Sequence, residues 1–521
     1  MKQYADYMDE ITGDELYEGL MVCGMFSEKL PPIFTSKEFF EYAQTIKDKK
    51  SYSWHKPQNY ITFDVIRNNG NQRTIGIPSP FAYDFLCKEL KDSWDNIRQY
   101  FHEITASNPS NISLIHLRKM KNSKSVFKMN YKDWQHEASS VDQLRMRGKY
   151  LVKADITNCF PSIYTHAIPW ALIGKEAAKK DKNETEWYNA LDKFTRNIKN
   201  NETHGILIGP HAFNLISEII LCKVDQLMVQ EGWKYYIRNI DDYECYVKTH
   251  TEGEEFIDSL NKNLKMFGLQ LNSKKTKIIE QPAQTDDFWV SQLYLLTKTI
   301  LEKSYLNYKD IKNYWDHVTN IFITNERDLA IINYALKILS GKIASRAFKL
   351  SFNAQRYCIS LILQLALIYP YLVPLLDKYI FRIFPIKVDL IHKISEHILS
   401  KKNQLRLEEE KCYALYFAIK YQFKLKEIEE KEEKEVENII ANNNNITLLL
   451  YYQYFKQTKN EEMLNLLHEK AKDLAKKDFE ANWLFCYEVL KSQEFKEVSA
   501  STASAFKNMK EHNVSFLKAN F

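Results

Sequence analysis

Trp233-Lys-Tyr-Tyr-Ile-Arg238-Asn239-Ile240-Asp241-Asp242-Tyr-Glu-Cys-Tyr-Val247 places two adjacent acids at the centre of an aromatic-rich segment. Aromatic and β-branched residues flank a short acidic centre, a pattern of two strands around a tight turn. Taken alone, Asp241-Asp242 reads equally as a solvated turn. Adjacent carboxylates repel, however, and a third acid converging on them completes an oxygen cage for hard divalent cations.

The third acid lies upstream, in Lys149-Tyr-Leu-Val-Lys-Ala-Asp155-Ile-Thr-Asn-Cys-Phe160-Pro161-Ser162. This is an apolar strand that ends on an acid and then meets a Pro/Ser corner where a helix can begin. Asp155 alone could cap a turn. With Asp241 and Asp242 it gives the set that two-metal phosphoryl transfer needs, where the attacking and leaving oxygens are clamped together.

Between these segments runs Gly205-Ile-Leu-Ile-Gly209-Pro210-His-Ala-Phe213-Asn214-Leu-Ile-Ser-Glu218. Pro210 is expected in the first turn of a helix whose single apolar face carries Phe213, Ile216, Ile220, Val224 and Leu227. After the acidic hairpin, Thr251-Glu-Gly-Glu254 has capping-box spacing and opens a helix that Gly268 stops. Gly268-Leu-Gln-Leu-Asn272-Ser-Lys-Lys275-Thr276-Lys277 follows as a short strand or turn ending in a basic cluster.

Acid-ended strand, Gly-Pro helix, Asp-Asp hairpin, helix and Gly-Leu-x-Leu-Asn-x-x-Lys-Thr, in that order, resemble motifs A, B, C and D of reverse transcriptases. Upstream, Gln72-Arg73-Thr-Ile-Gly-Ile-Pro78 resembles a fingers motif of the bacterial members. The resemblance spans residues 50–285 and implies an α+β right-hand polymerase palm and fingers. It implies two Mg²⁺ ions, with Mn²⁺ as a substitute, held by Asp155, Asp241 and Asp242. Arg73 is then a clamp on the triphosphate of an incoming dNTP, Gly209 and Pro210 line the nucleotide site, and Lys275 is a candidate general acid for the leaving pyrophosphate. Phe160 falls where the family carries an aromatic gate against the ribose 2′-OH, which works by exclusion.

Two positions depart from the common pattern. Asn239-Ile240-Asp241-Asp242 replaces Tyr-x-Asp-Asp, and Ile208 stands where Gln is frequent. Gly-Ile-Leu-Ile-Gly-Pro with Glu218 beyond it resembles the abortive-infection group of bacterial reverse transcriptases, although Phe213 replaces a frequent Ser. That group implies phage defence, homo-oligomeric assembly and protein-primed, template-independent synthesis, with single-stranded DNA growing from a tyrosine. No motif singles out the primer among 32 Tyr; Tyr4, Tyr7 and Tyr42 are candidates. The alternatives are a conventional RNA-templated enzyme of the retron kind, a polymerase-like scaffold that only binds, and a helical platform for partners.

Glycine placement divides the chain. All 13 Gly lie between Gly13 and Gly341, and no proline follows Pro385. Apolar residues recur at helical spacing in Leu329, Ile332, Leu336 and Leu339, and again in Leu464, Leu467, Ala471 and Leu474. The expected organisation is therefore fingers and palm over 1–290, then an all-α, HEAT-like helical-repeat domain over 291–521 in place of a thumb. Lys424 to Glu437, with 11 charged residues in 14, is expected to be a solvated helix face, and Asn442–Asn445 an exposed loop.

Composition narrows the class. The chain has 521 residues, 45% of them hydrophobic and 27% charged, which excludes disordered and disulfide-stapled classes. A net charge of +5 permits nucleic-acid contact without the footprint of a DNA-coating protein. Eight scattered Cys form no zinc pattern and read as reduced thiols of a cytoplasmic protein. The acidic N-terminal stretch is not expected to be a secretory signal. Tyr357 to Leu376 lacks charge over 20 residues, but Ser360, Gln364, Pro370 and Pro374 make it a buried helix, a turn and a second helix rather than a membrane span.

Overall fold

Ile61, Phe63 and Val65 alternate with exposed neighbours, so one face of strand β1 (Ile61–Ile66) is buried. It pairs antiparallel with β2 (Gln72–Ile77), from Ile61 opposite Ile77 to Ile66 opposite Gln72. The computed structural model describes residues 4–46, 56–108, 112–114, 125–126, 144–282, 288–301, 303–345, 349–400, 408–429, 436, 439–498 and 500–519. Helices α1 (Gly13–Glu18) and α2 (Lys37–Thr45) precede the hairpin, and α3 (Pro80–Asp92) and α4 (Trp94–Thr105) follow it.

The central sheet is built from β3 (Tyr150–Asp155), β4 (Tyr236–Asn239), β5 (Asp242–Val247) and β6 (Lys277–Glu280). Their order is β4-β5-β3-β6, and every pairing is antiparallel. Helices α5 (Ala167–Ile173), α6 (Trp187–Asn197) and α7 (Ala212–Gln230) fill the connection from β3 to β4, and α8 (His250–Lys265) packs on β3 and β5. Gly253 permits that approach, since a Cβ there would stand 3.0 Å from Ile278 Cδ1 and 3.2 Å from Val152 Cγ2. The cap of α8 differs from expectation: Thr249, not Thr251, accepts from the Glu252 N–H, and the Glu252 carboxylate reaches back to the Lys248 N–H.

Among the described residues ten longer helices follow: α9 (Phe288–Leu301), α10 (Tyr308–Thr324), α11 (Leu329–Ala344), α12 (Phe352–Ile368), α13 (Val388–Ser400), α14 (Glu408–Tyr421), α15 (Asn445–Thr458), α16 (Glu461–Asp478), α17 (Trp483–Val489) and α18 (Ala500–Glu511). From α9 to α17 they pack largely on their neighbours in chain order. Side chains of Asn307, Asp328, Ser351, Asn444 and Asn460 cap their N-termini. Where glycine is lacking, Glu326, Arg327, Gln422, Lys459 and Asn513 take the left-handed backbone that corners need. Tyr357–Leu376 forms the end of α12, a 3₁₀ turn at Pro370–Leu372 and a short helix from Val373, as expected. Among the described residues no helix is long and apolar enough to cross a membrane. Of the charged run, Lys426–Glu429 is a single helical turn, and residues 430–435, 437 and 438 lie outside the described residues.

The helical part does not stand apart from the rest. Among the described residues, one contiguous core of buried hydrophobic side chains runs from Tyr4 to Phe516, beside a small separate group of Leu144, Leu151, Ile237 and Tyr246. The Ile66 N–H donates to Glu409 Oε2 of α14 at 2.7 Å, and Asn59 bonds both Asp478 and Glu480. The far end of the chain returns to the beginning: the Thr35 N–H donates to the Phe516 carbonyl at 2.9 Å and the Lys518 N–H to the Ile33 carbonyl at 2.8 Å. Phe516 is fully buried against Phe26, Phe39, Trp483 and Tyr487.

Candidate active site

Strand β3, interior in the sheet, delivers Asp155 at its end, where it is the register partner of Asp242 on β5. Asn239 is opposite Asp242, so the β4–β5 loop consists of Ile240 and Asp241 alone. The Ile156 N–H donates to the Asp241 carbonyl at 3.1 Å, which sews this turn to the end of β3. Ile240 has φ +56°, a left-handed conformation that β-branched residues rarely adopt. The three acids expected from sequence are thus brought to one place by two hydrogen-bonded strands and their turn.

The Asp155 side chain is held on both oxygens. Asn272 Nδ2 donates to Oδ1 at 3.1 Å, and the Lys275 ammonium lies 2.6 Å from Oδ2. The Asn272 N–H also bonds the Asp155 carbonyl at 2.7 Å, which fixes the segment after α8 beside β3. Lys275 therefore joins the acids, and Asn272 is a site residue that sequence reasoning did not assign. Its signal was present, an Asn three positions before Lys275, but its partner is far away in the chain.

Like charges shape the electrostatics. Partial desolvation, then the neighbouring Asp241 and Asp155 carboxylates, push the Asp242 carboxyl up to about 6. Asp241 is raised as well, first by burial and then by Asp155, with Lys275 and Arg73 pulling the other way. Arg73, exposed on β2, thus makes its charge felt at the acidic turn.

The loop before α7 is pressed onto β2. The Gly76 N–H donates to the Ile208 carbonyl at 2.9 Å, and a Cβ on Gly76 would stand 2.8 Å from Leu207 Cδ2. Gly209 has φ +123°, and a Cβ there would meet Ser27 Cβ at 3.3 Å and the Gly76 carbonyl oxygen at 3.5 Å. Pro210 is buried but precedes His211, the N-cap of α7, so it ends the loop rather than occupying the first helical turn. Nor does α7 carry one apolar face: Leu215, Ile219, Leu221 and Met228 are buried along with Phe213, Ile216, Ile220 and Val224. Phe160, half-buried in the turn Cys159–Ser162, accepts the Ile206 N–H on its carbonyl at 2.9 Å.

Residues 68–299, which contain all of these groups, match the family profile described as "Reverse transcriptase (RNA-dependent DNA polymerase)". The chain contains a reverse transcriptase domain. No curated protein matches the sequence. Among solved structures, telomerase from Candida albicans in complex with the TWJ fragment of telomeric RNA aligns at 11% identity and TM-score 0.31, covering 70% of this chain and 65% of that one. Apo telomerase from Candida tropicalis aligns at 11% identity and TM-score 0.33, covering 83% and 73% respectively. The chain thus spans less than two thirds of the length of the first of these structures.

Within the reverse transcriptase domain the donor set suits a hard divalent cation. Three carboxylates supply only oxygen ligands, two of them are raised first by burial and then by neighbouring carboxylates, and a cationic ammonium already rests on the third. Among the described residues, the group with three ligand atoms within 4.8 Å of one another is Asp6, Asp9 and His102. Of the tyrosines singled out, Tyr4 is buried with its hydroxyl on Glu218, Tyr42 is buried beside His512, and Tyr7 is half-buried.

Proposed function

We propose that this chain is a phage-defence DNA polymerase of the abortive-infection type, cytoplasmic and homo-oligomeric, that polymerises dNTPs without a template and starts each strand on one of its own tyrosines. The observation that carries the polymerase reading is the pairing of Asp155 with Asp242, with Asp241 beside them in the β4–β5 turn, inside the segment that matches the reverse transcriptase profile. The untemplated, self-primed reading draws its support from the Gly205–Pro210 loop with Glu218 beyond it. Further support comes from the long helical part, taken as a HEAT-like domain over 291–521 that replaces a thumb after fingers and palm over 1–290.

In this reading Asp155, Asp241 and Asp242 hold two Mg²⁺ ions, which when bound sharpen the attacking hydroxyl and neutralise the pyrophosphate. The chain's own groups do the rest. Arg73 orients the triphosphate against the Gly209–Pro210 loop, and Phe160 closes the space that a ribose 2′-OH would need. Lys275 carries a proton on Nζ beside Asp155 and releases it to the departing pyrophosphate.

The deciding experiment incubates the pure protein with Mg²⁺ and each labelled dNTP, without template, and follows the label through denaturation. Label that stays on the protein supports self-priming. Label that appears only with a primed template moves the assignment to a conventional RNA-templated enzyme, and no label under either condition refutes both.

A further inference from the structure

Behind the acidic turn lies a group of buried charges that the chemistry above does not use. Arg238 is the last residue but one of β4 and is completely buried. Its Nε donates to Asp225 Oδ2 at 2.8 Å, and its Nη1 and Nη2 bond the two oxygens of Glu218 at 3.0 and 3.1 Å. Both acids come from α7, the helix that begins at the Gly209–Pro210 loop. Nη1 also donates to the carbonyl of Ile240 at 3.0 Å. One planar fork therefore joins the floor of the domain to the left-handed residue immediately before Asp241.

The surroundings make this fork rigid. Glu218 accepts from the Tyr4 hydroxyl at 2.9 Å and from Ser113 Oγ at 2.5 Å. Ser113 belongs to a segment laid parallel to β4, with the Arg238 N–H on the Ile112 carbonyl and the Leu114 N–H on the Arg238 carbonyl, both at 2.8 Å. Tyr236 closes the other side, its hydroxyl on Asp225 Oδ1 at 2.9 Å. Stability alone does not call for such a cluster, because buried ion groups are often replaceable by apolar side chains without loss. The bond to the Ile240 carbonyl is a task no apolar side chain performs.

We infer that Arg238 is a positioning residue: it braces Ile240 in the left-handed conformation and thereby sets the spacing of Asp241 and Asp242 against Asp155. This rests on the reading of those three acids as the metal site. A lysine would keep the charge between Glu218 and Asp225, but a single ammonium cannot also span to the turn. Glycine at position 240 would adopt the same backbone without a brace.

The test uses the full-length protein and two readouts, Mn²⁺ affinity by electron paramagnetic resonance and steady-state dNTP incorporation. Arg238→Lys is expected to weaken Mn²⁺ binding about tenfold, in the range seen for groups that orient metal ligands. It should lower kcat by a similar factor with the KM for dNTP unchanged. Adding Ile240→Gly to Arg238→Lys is expected to restore part of the Mn²⁺ affinity. Parent-like Mn²⁺ affinity in Arg238→Lys, or losses in the double variant that simply multiply, would overturn the brace. If Arg238→Lys does not fold, Glu218→Gln keeps the shape of the acid and leaves Arg238 on Asp225. That variant should weaken Mn²⁺ binding several-fold, and a folded Glu218→Gln protein with parent-like affinity overturns the proposal. A parent that binds no Mn²⁺ and incorporates no nucleotide refutes the metal-site reading itself, a different result from a parent that binds Mn²⁺ no better than its Arg238→Lys variant.

Discussion

Asp155 and Asp242 stand directly opposite each other on neighbouring antiparallel strands, and the Lys275 ammonium rests 2.6 Å from the Asp155 carboxylate. Two acids directly opposite each other destabilise an ordinary sheet. Here the pairing is tolerated because a cation sits against it.

Removing the charges while keeping the shape should separate fold from chemistry. Asp241→Asn with Asp242→Asn is expected to leave circular dichroism and melting cooperativity intact and to abolish dNTP incorporation. Unchanged incorporation by the purified double variant would end the nucleotidyltransferase assignment for this site.

The elevated Asp242 carboxyl makes a pH prediction of definite sign. Its folded-state value, about 6, lies above the ordinary carboxylate value near 4, so the folded protein binds the extra proton in that window. Without metal, this group's contribution to stability is fullest below about pH 4 and is lost as pH rises through 6. Asp242→Asn abolishes that loss. In EDTA, the melting temperature of the variant relative to the parent should therefore climb between pH 4.5 and 7.5. Added Mn²⁺ should raise the parent's melting temperature at pH 7.5 and leave that of the variant much less affected. A flat difference across the range would mean that Asp242 is not held in a like-charged cluster.

Phe160 offers a test of sugar selection. Phe160→Ala is expected to cut the preference for dNTP over rNTP about tenfold or more while sparing overall incorporation. Competition assays with matched nucleotides measure it, and equal preference in variant and parent would remove Phe160 from the nucleotide site.

The helical part is expected to be inseparable from the domain it follows. Phe516→Ala should cost about 3–5 kcal/mol in denaturant titrations, as deletion of a fully buried ring does. A chain ending at residue 290 exposes the face of β1 that α14 covers and leaves Ile33 and Thr35 without their C-terminal partners. It should be insoluble; a soluble fragment with a cooperative melting transition would contradict the contiguous core.

Much of this was legible in the residues. The hairpin around Asp241, the strand ending at Asp155 and the helices past Gly341 are local patterns, and local patterns survive folding. Other features were hidden because they depend on which elements face each other. Nothing near Arg238 announces that Glu218 and Asp225 will meet it from α7, and nothing near Asn272 names Asp155 as its partner. The cap at Thr249 was missed for a different reason: Thr249-x-x-Glu252 and Thr251-x-x-Glu254 have the same spacing, and only the end of β5 decides between them. The return of Phe516 to Thr35 left no periodic trace at all.

That closure at Thr35 and Phe516 has a bearing on how the protein is made. Phe26, Phe39 and Phe516 share one core, so the first helices emerge from the ribosome long before the ring that completes their packing. Such remote pairings fold slowly. A nascent chain carries its whole acidic site before it carries Phe516, and the native packing around Phe26 and Phe39 can form only once that ring has been made.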